Sequence, residues 1–171
     1  MREIMGIDQS ITHTAVVILD EDTLKMKSFK VIKTKNRNGR DGEEFSYTQR
    51  IISIRDIVKN TIEKEKNIRL CAIEGLSLNK NSKTARPLAG LFYMLTSLFT
   101  DREVPYHVIP PASVKKTAHS GNASKEEVFA ALPEEISEAF IEAGYKKTTG
   151  LFDLSDAYFI AITAINKIRN N

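Results

Sequence analysis

A change of pattern along the chain constrains its fold more than any other feature. The first third holds three strand-like runs, and helix and strand alternate from there on. Ile4-Met5-Gly6-Ile7 is a short apolar run ending on Asp8, and a second run, 15–19, is closed by the turn Asp20-Glu21-Asp22. Residues 24–32 alternate imperfectly, with Leu24, Met26, Ser28 and Lys30 on one face and Lys25, Lys27, Phe29 and Val31 on the other. After a polar loop over 34–44, Ile51, Ile54, Val58 and Ile62 stand at helical spacing within 45–66. Residues 68–73 form an apolar strand ending on Glu74, 84–102 a helix apolar nearly all round, and 104–109 a strand stopped by Pro110-Pro111. Short helices are expected over 112–117, 125–132 and 134–143, the second opened by the capping box Ser124-Lys125-Glu126-Glu127. A last helix covers 154–168.

Three hairpin-linked strands followed by helix-strand-helix-strand-helix predict an α/β chain. The expected sheet is mixed and five-stranded, three antiparallel then two parallel strands, with helices on both faces. At 171 residues, one domain over 1–171 is long enough to bury a core without disulfides or a structural metal. Cys71 is the single cysteine, set in the apolar run Leu70-Cys71-Ala72-Ile73, so it reads as a core residue in a reducing, cytoplasmic setting. No signal peptide is evident, and the longest apolar stretch, 88–99, is too short to span a bilayer. The net charge of +3 permits a polyanionic partner without demanding one.

Four acids carry the chemistry. Asp8 and Glu74 each end an apolar strand, and a right-handed crossover would set those strands parallel; as neighbours they lie about 4.8 Å apart. Asp153 and Asp156 sit three apart at the start of the last helix, on one face. Taken singly, Asp153 also reads as a helix N-cap, Asp156 as a first-turn acid and Asp8 as a turn residue. Taken together, converging carboxylates repel one another and call for a cation. All-oxygen ligation suits Mg²⁺, with Mn²⁺ as a substitute, and two ions about 3.5–4 Å apart would serve the attacking and leaving oxygens of a phosphodiester. Asp20, Glu21, Asp22, Asp41, Glu43 and Glu44 lie in polar turns and read as solvated surface.

Gly6-Ile7-Asp8, Ala72-Ile73-Glu74 and Asp153-Leu154-Ser155-Asp156-Ala157 resemble the catalytic segments of RuvC-type Holliday junction resolvases. The stretch from Val114-Lys115-Lys116-Thr117 through Gly121, Ala123, Lys125 and Val128 is similar to the family's segment before its last acids. The resemblance runs over nearly the whole chain, in order and at similar spacing. It implies an RNase H-like fold, a homodimer joined through the apolar helix around Leu88, Leu91, Phe92, Leu95 and Leu98, and Mg²⁺-dependent paired nicks across a four-way DNA junction. By this similarity Asp8, Glu74, Asp153 and Asp156 are the metal ligands, and Lys115 and Lys125 lie where the family has lysines near the scissile phosphate. Two departures stand out. The family's Asp-Pro-Gly is here Asp8-Gln9-Ser10, and Ser77 replaces an aromatic residue that helps open the junction. They point toward the looser branch cutting of phage-encoded relatives.

The expected DNA-contacting set is Ser77, Lys80, Asn81, Lys83, Arg86, Lys115, Lys116 and His119, with the basic cluster after Glu74 leaving the same strand end as a proposed ligand. Lys33, Lys35, Arg37, Arg40 and Lys146-Lys147 are further basic positions. Rival readings are a ribonuclease H-like enzyme cutting RNA in hybrids and a non-catalytic branched-DNA-binding protein. A sugar-kinase-like nucleotide site would need a glycine-rich phosphate loop, and none follows Asp8.

Overall fold

The computed structural model describes residues 2–35, 42–76 and 85–170, with the side chains of 42–45 outside that description. Strands β1 (Glu3–Asp8), β2 (His13–Asp20), β3 (Met26–Lys33), β4 (Ile68–Glu74) and β5 (Tyr106–Ile109) form one sheet in the order β3-β2-β1-β4-β5. β1 pairs antiparallel with β2 and β2 with β3, while β1 pairs parallel with β4 and β4 with β5. This is the mixed sheet that the pattern change predicts. The helices are α1 (Gly42–Lys64), α2 (Ala85–Asp101), α3 (Pro111–Ala118), α4 (Lys125–Ala130), α5 (Glu134–Glu142) and α6 (Leu151–Arg169).

Side chains of a strand alternate between the two faces, and the chain uses both. Met5, Ile7, Val16, Ile18, Cys71 and Ile73 pack with Ile54 and Val58 of α1 and Leu91, Leu95 and Phe99 of α2. Ile4, Val17, Leu19, Leu70 and Ala72 pack with α6 and with Val114, Val128 and Phe140 of the shorter helices. α6 is the central piece of that second layer: Leu154, Ala157, Ile160, Ala161, Ala164 and Ile165 are all fully buried. A helix apolar around so much of its circumference belongs under other elements, and α3, α4 and α5 cover it.

Several local expectations need correcting. β3 carries a bulge: its partner changes from Ser28 at Ile18 to Met26 at Leu19, leaving Lys27 extra. Met26 therefore joins Phe29 and Val31 against the α6 layer, and does not face away from them. α2 is not apolar all round in use, because Tyr93 is 67% exposed and only one side is buried. Asp20 and Glu21 are not solvated. They are 6% and 4% exposed, Asp20 capping the turn through Thr23 and Glu21 taking two bonds from Arg69. α6 begins about one turn earlier than expected. Its N-cap is Gly150 at φ 112°, where a Cβ would also meet Val31 at 2.6 Å, so Asp153 lies inside the first turn and is not the cap.

The closest approach in the fold is at Gly6. A Cβ there would stand 2.2 Å from the Ala157 carbonyl oxygen and 2.8 Å from the Ala161 nitrogen. α6 thus lies directly on β1, and only glycine leaves room for it. Gly6→Ala is expected to destabilise the protein by about 3 kcal/mol, since the obstruction is helix backbone and not a flexible side chain. Urea unfolding measures this, and an unchanged midpoint would contradict so close a contact.

Candidate active site

The Gly6 contact explains how two distant segments meet. Asp8 lies two residues beyond Gly6 on the same face of β1, and Asp156 directly precedes Ala157 on α6. On β4, Leu70 and Ala72 face the α6 layer, so alternation places Glu74 on that face too. Ile7 pairs with Ile73, which sets Asp8 and Glu74 side by side at the ends of adjacent parallel strands. The N-terminal turns of α6 then bring Asp153 and Asp156 over the same strand ends.

Electrostatics register the convergence. Asp8 is 8% exposed, and burial pushes its carboxyl well above the ordinary range, with Asp156, Glu74 and Asp153 adding to the rise and Lys125 opposing it. Burial, reinforced by Asp156, pushes Glu74 up to about 7 against the pull of Lys125 and Lys115. Asp156 rises to about 6, chiefly from burial; Asp153 adds to this while Lys125 and Lys115 oppose it. Lys125 Nζ lies 3.9 Å from Asp153 Oδ1. It reaches the acids because the capping box at Ser124 fixes the start of α4, with Ser124 and Glu127 bonded reciprocally. Lys115 is held by α3, tied to α6 through the Thr163–Thr117 hydroxyl bond of 2.8 Å.

The donor set is chemically that of a hard divalent ion: four carboxylates, three of them raised by burial and by one another. Among the described residues, no three such side chains are gathered closely enough to hold an ion as they stand. Mutual repulsion keeps the carboxylates apart, and a cation is what would remove it. The residues therefore fit Mg²⁺ or Mn²⁺ by chemistry, with Asp8, Glu74, Asp153 and Asp156 as the groups that would close on it.

The remaining expected contacts divide. Lys115 and Lys125 act on the acids, while Lys116 is exposed and does not figure among the charges that shift them. His119 caps the end of α3 through its backbone and lies 4.0 Å from Glu127, at the surface. Arg86 is exposed in the first turn of α2. Ser77, Lys80, Asn81 and Lys83 lie outside the described residues. Sequence reasoning gave no role to Gln9, which is 8% exposed and donates from Nε2 to the Glu74 carbonyl at 3.0 Å. Its one signal was its place, immediately after Asp8. No helix among the described residues is long and apolar enough to cross a membrane.

No protein-family model and no curated protein matches the chain. Solved structures do. RuvC of Thermus thermophilus, solved in complex with a Holliday junction substrate, superposes with a TM-score of 0.72 at 18% identity, covering 99% of this chain and 96% of that one. The fowlpox virus Holliday junction resolvase gives 0.57 at 17%, covering 97% and 99%. The yeast mitochondrial resolvase gives 0.59 at 16%, covering 98% and 81%. The chain has the RNase H-like fold of the RuvC resolvases over essentially its whole length.

The raised carboxyls have a consequence for stability. A carboxyl whose folded pKa lies above its unfolded value binds more protons when folded, so its contribution is full at low pH and is lost as pH rises through the folded pKa. For Glu74 and Asp156 that loss falls between the ordinary values of 4.5 and 3.8 and the raised values of about 7 and about 6. Asp20 and Glu127 are shifted downward, so they titrate below this window. With divalent ions chelated, the urea midpoint is expected to be higher at pH 5.5 than at pH 8, and Asp156→Asn is expected to flatten the difference. A midpoint that rises across the range would contradict the shared burial of these acids.

Proposed function

We propose that this protein is a metal-dependent endonuclease that nicks branched DNA, four-way junctions above all. The observation that carries this reading is the meeting of four acids from β1, β4 and α6 at one end of the sheet, with Lys125 and Lys115 facing them. Asp8, Glu74, Asp153 and Asp156 would hold the divalent ions, two per site, with Mg²⁺ preferred and Mn²⁺ able to substitute. Bound there, such ions supply Lewis acidity to a phosphodiester and to the water that attacks it.

The chain's own groups do the rest. The acids that remain protonated without the ion become ligands once it is present, and their protons leave with its arrival. Lys125, beside Asp153, and Lys115 offer cations where the phosphate must enter, so they orient it and offset its charge. Burial of Asp8 and the apolar layer beneath the strand ends keep the local dielectric low, which strengthens each of these interactions. The choice of branched DNA over an RNA–DNA hybrid is supported by the fold shared with RuvC, which was itself solved on a Holliday junction substrate. A homodimer is part of the proposal. α2 leaves Gly90, Tyr93 and Ser97 exposed along one side, and a two-fold dimer would match the symmetry of the junction.

Asp8→Asn is expected to reduce cleavage of a labelled four-way junction by more than about 100-fold, since even an outer-shell partner of a metal site is worth about 10–100-fold. Junction binding should persist in the variant and weaken steeply with added salt. Cleavage assays on the junction beside an RNA–DNA hybrid, with gel-shift titrations, read both; preferential cutting of the hybrid would overturn the substrate assignment. Sedimentation should find a dimer at micromolar concentration, and a monomer there would remove the paired-nick geometry.

A further inference from the structure

Gln9 is the polar group at the strand ends that the carboxylates do not account for. It follows the last paired residue of β1, and its side chain is buried. Nε2 donates to the main-chain carbonyl of Glu74 at 3.0 Å, bridging the ends of the two strands that carry Asp8 and Glu74. Because a carbonyl only accepts, that bond also fixes which end of the amide is which. Oε1 is then the other end, buried and with no donor. A buried acceptor without a partner opposes folding, and a side chain of similar length without it, such as methionine, would avoid that cost. Such groups in native proteins call for an explanation outside the fold itself.

We propose that Gln9 is a positioning residue for the divalent ion: Nε2 holds the Glu74 strand end against Asp8, and Oε1 accepts a hydrogen bond from a water of the hydrated ion. The inference rests on the metal-nuclease reading above. Mg²⁺ gives up its waters reluctantly, and those it keeps are donors in need of acceptors. An amide oxygen suits the place. A carboxylate there would add a fifth negative charge to the cluster, and a lysine would compete with the ion. The amide accepts while adding no charge, and its other end ties the strands. Outer-shell acceptors of this kind orient what the first ligands hold.

The test is ion binding by the intact chain without DNA, followed as the rise in melting temperature on titration with Mg²⁺ and with Mn²⁺. Gln9→Met removes both donor and acceptor, and is expected to raise the ion concentration for half-maximal stabilisation about 10–100-fold. Gln9→Glu keeps an acceptor oxygen but cannot donate to the Glu74 carbonyl, and is expected to bind the ion no more weakly than wild type. If Gln9 served only as a strand clamp, both variants would weaken binding alike, so equal weakening overturns the proposal. So does a Met variant that matches wild type. Should Gln9→Met fail to fold, Gln9→Glu decides alone, weaker binding counting against the role and undiminished binding for it. A wild-type chain that responds to neither ion at millimolar concentration overturns the metal-nuclease reading itself and this inference with it; a responsive wild type with an indifferent Met variant overturns only Gln9.

Discussion

Everything at this site depends on how closely α6 lies on β1. The helix backbone rests where a side chain would otherwise be, over Gly6, with Ala157 and Ala161 as the touching residues. Small residues on both partners let two backbones approach at a distance that larger side chains forbid. The approach is also placed along the chain: Gly6 precedes Asp8 by two residues, and Ala157 follows Asp156 by one. A looser seat for α6 would still bury apolar surface, but Asp153 and Asp156 would then stand away from Asp8 and Glu74.

Once brought together, the acids are left deliberately unmatched. Lys125 is the nearest cation, and at 3.9 Å from Asp153, with its side chain more than half exposed, it can neutralise little of the charge on three buried carboxyls. Protons are the remaining counter-ions, and their retention is what the raised values of Glu74 and Asp156 express. A site built this way binds protons and divalent ions in competition, so its occupancy by metal depends on pH.

Much of this was legible in the sequence, because periodicity and strand ends are local signals. The runs ending on Asp8 and Glu74 and the three-residue spacing of Asp153 and Asp156 predicted the sheet end and the helix face that the structure brings together. What was not legible depended on partners far away in the chain. Asp20 and Glu21 looked like an exposed turn, and their burial depends on Arg69, 48 positions on, and on Arg169, 148 positions on, which binds the Glu21 carbonyl. Gln9 had no visible role because its partner, the Glu74 carbonyl, is 65 positions away. The early start of α6 was hidden for a different reason: Leu151 and Phe152 form an apolar first turn, so the acidic pair drew the predicted boundary inward to itself. The bulge at Lys27 left only a broken alternation, which one face assignment could not accommodate.

The two ends of β1 offer an internal comparison that separates a structural use of acids from a functional one. At the Glu3 end, Asp20 and Glu21 are as buried as Asp8, yet they are answered from within the chain. Arg69 and Arg2 pair with Glu21, Arg169 binds the Glu21 and Asp22 carbonyls, and hydrogen bonds from Thr23 hold the Asp20 carboxyl below its ordinary value. Arginine forks and backbone donors are how a fold stabilises buried anions for its own sake. At the Asp8 end the same strand finishes among acids whose carboxyls are raised, not lowered, with only lysines opposite and no arginine pair. One chain thus shows that it can neutralise buried carboxylates and, at the other end of the same strand, leaves them without a matching cation. Stability alone would favour the first solution at both ends. The second persists where a cation and a phosphate arrive from outside, and that asymmetry ties the acid cluster to chemistry more firmly than the number of its acids does.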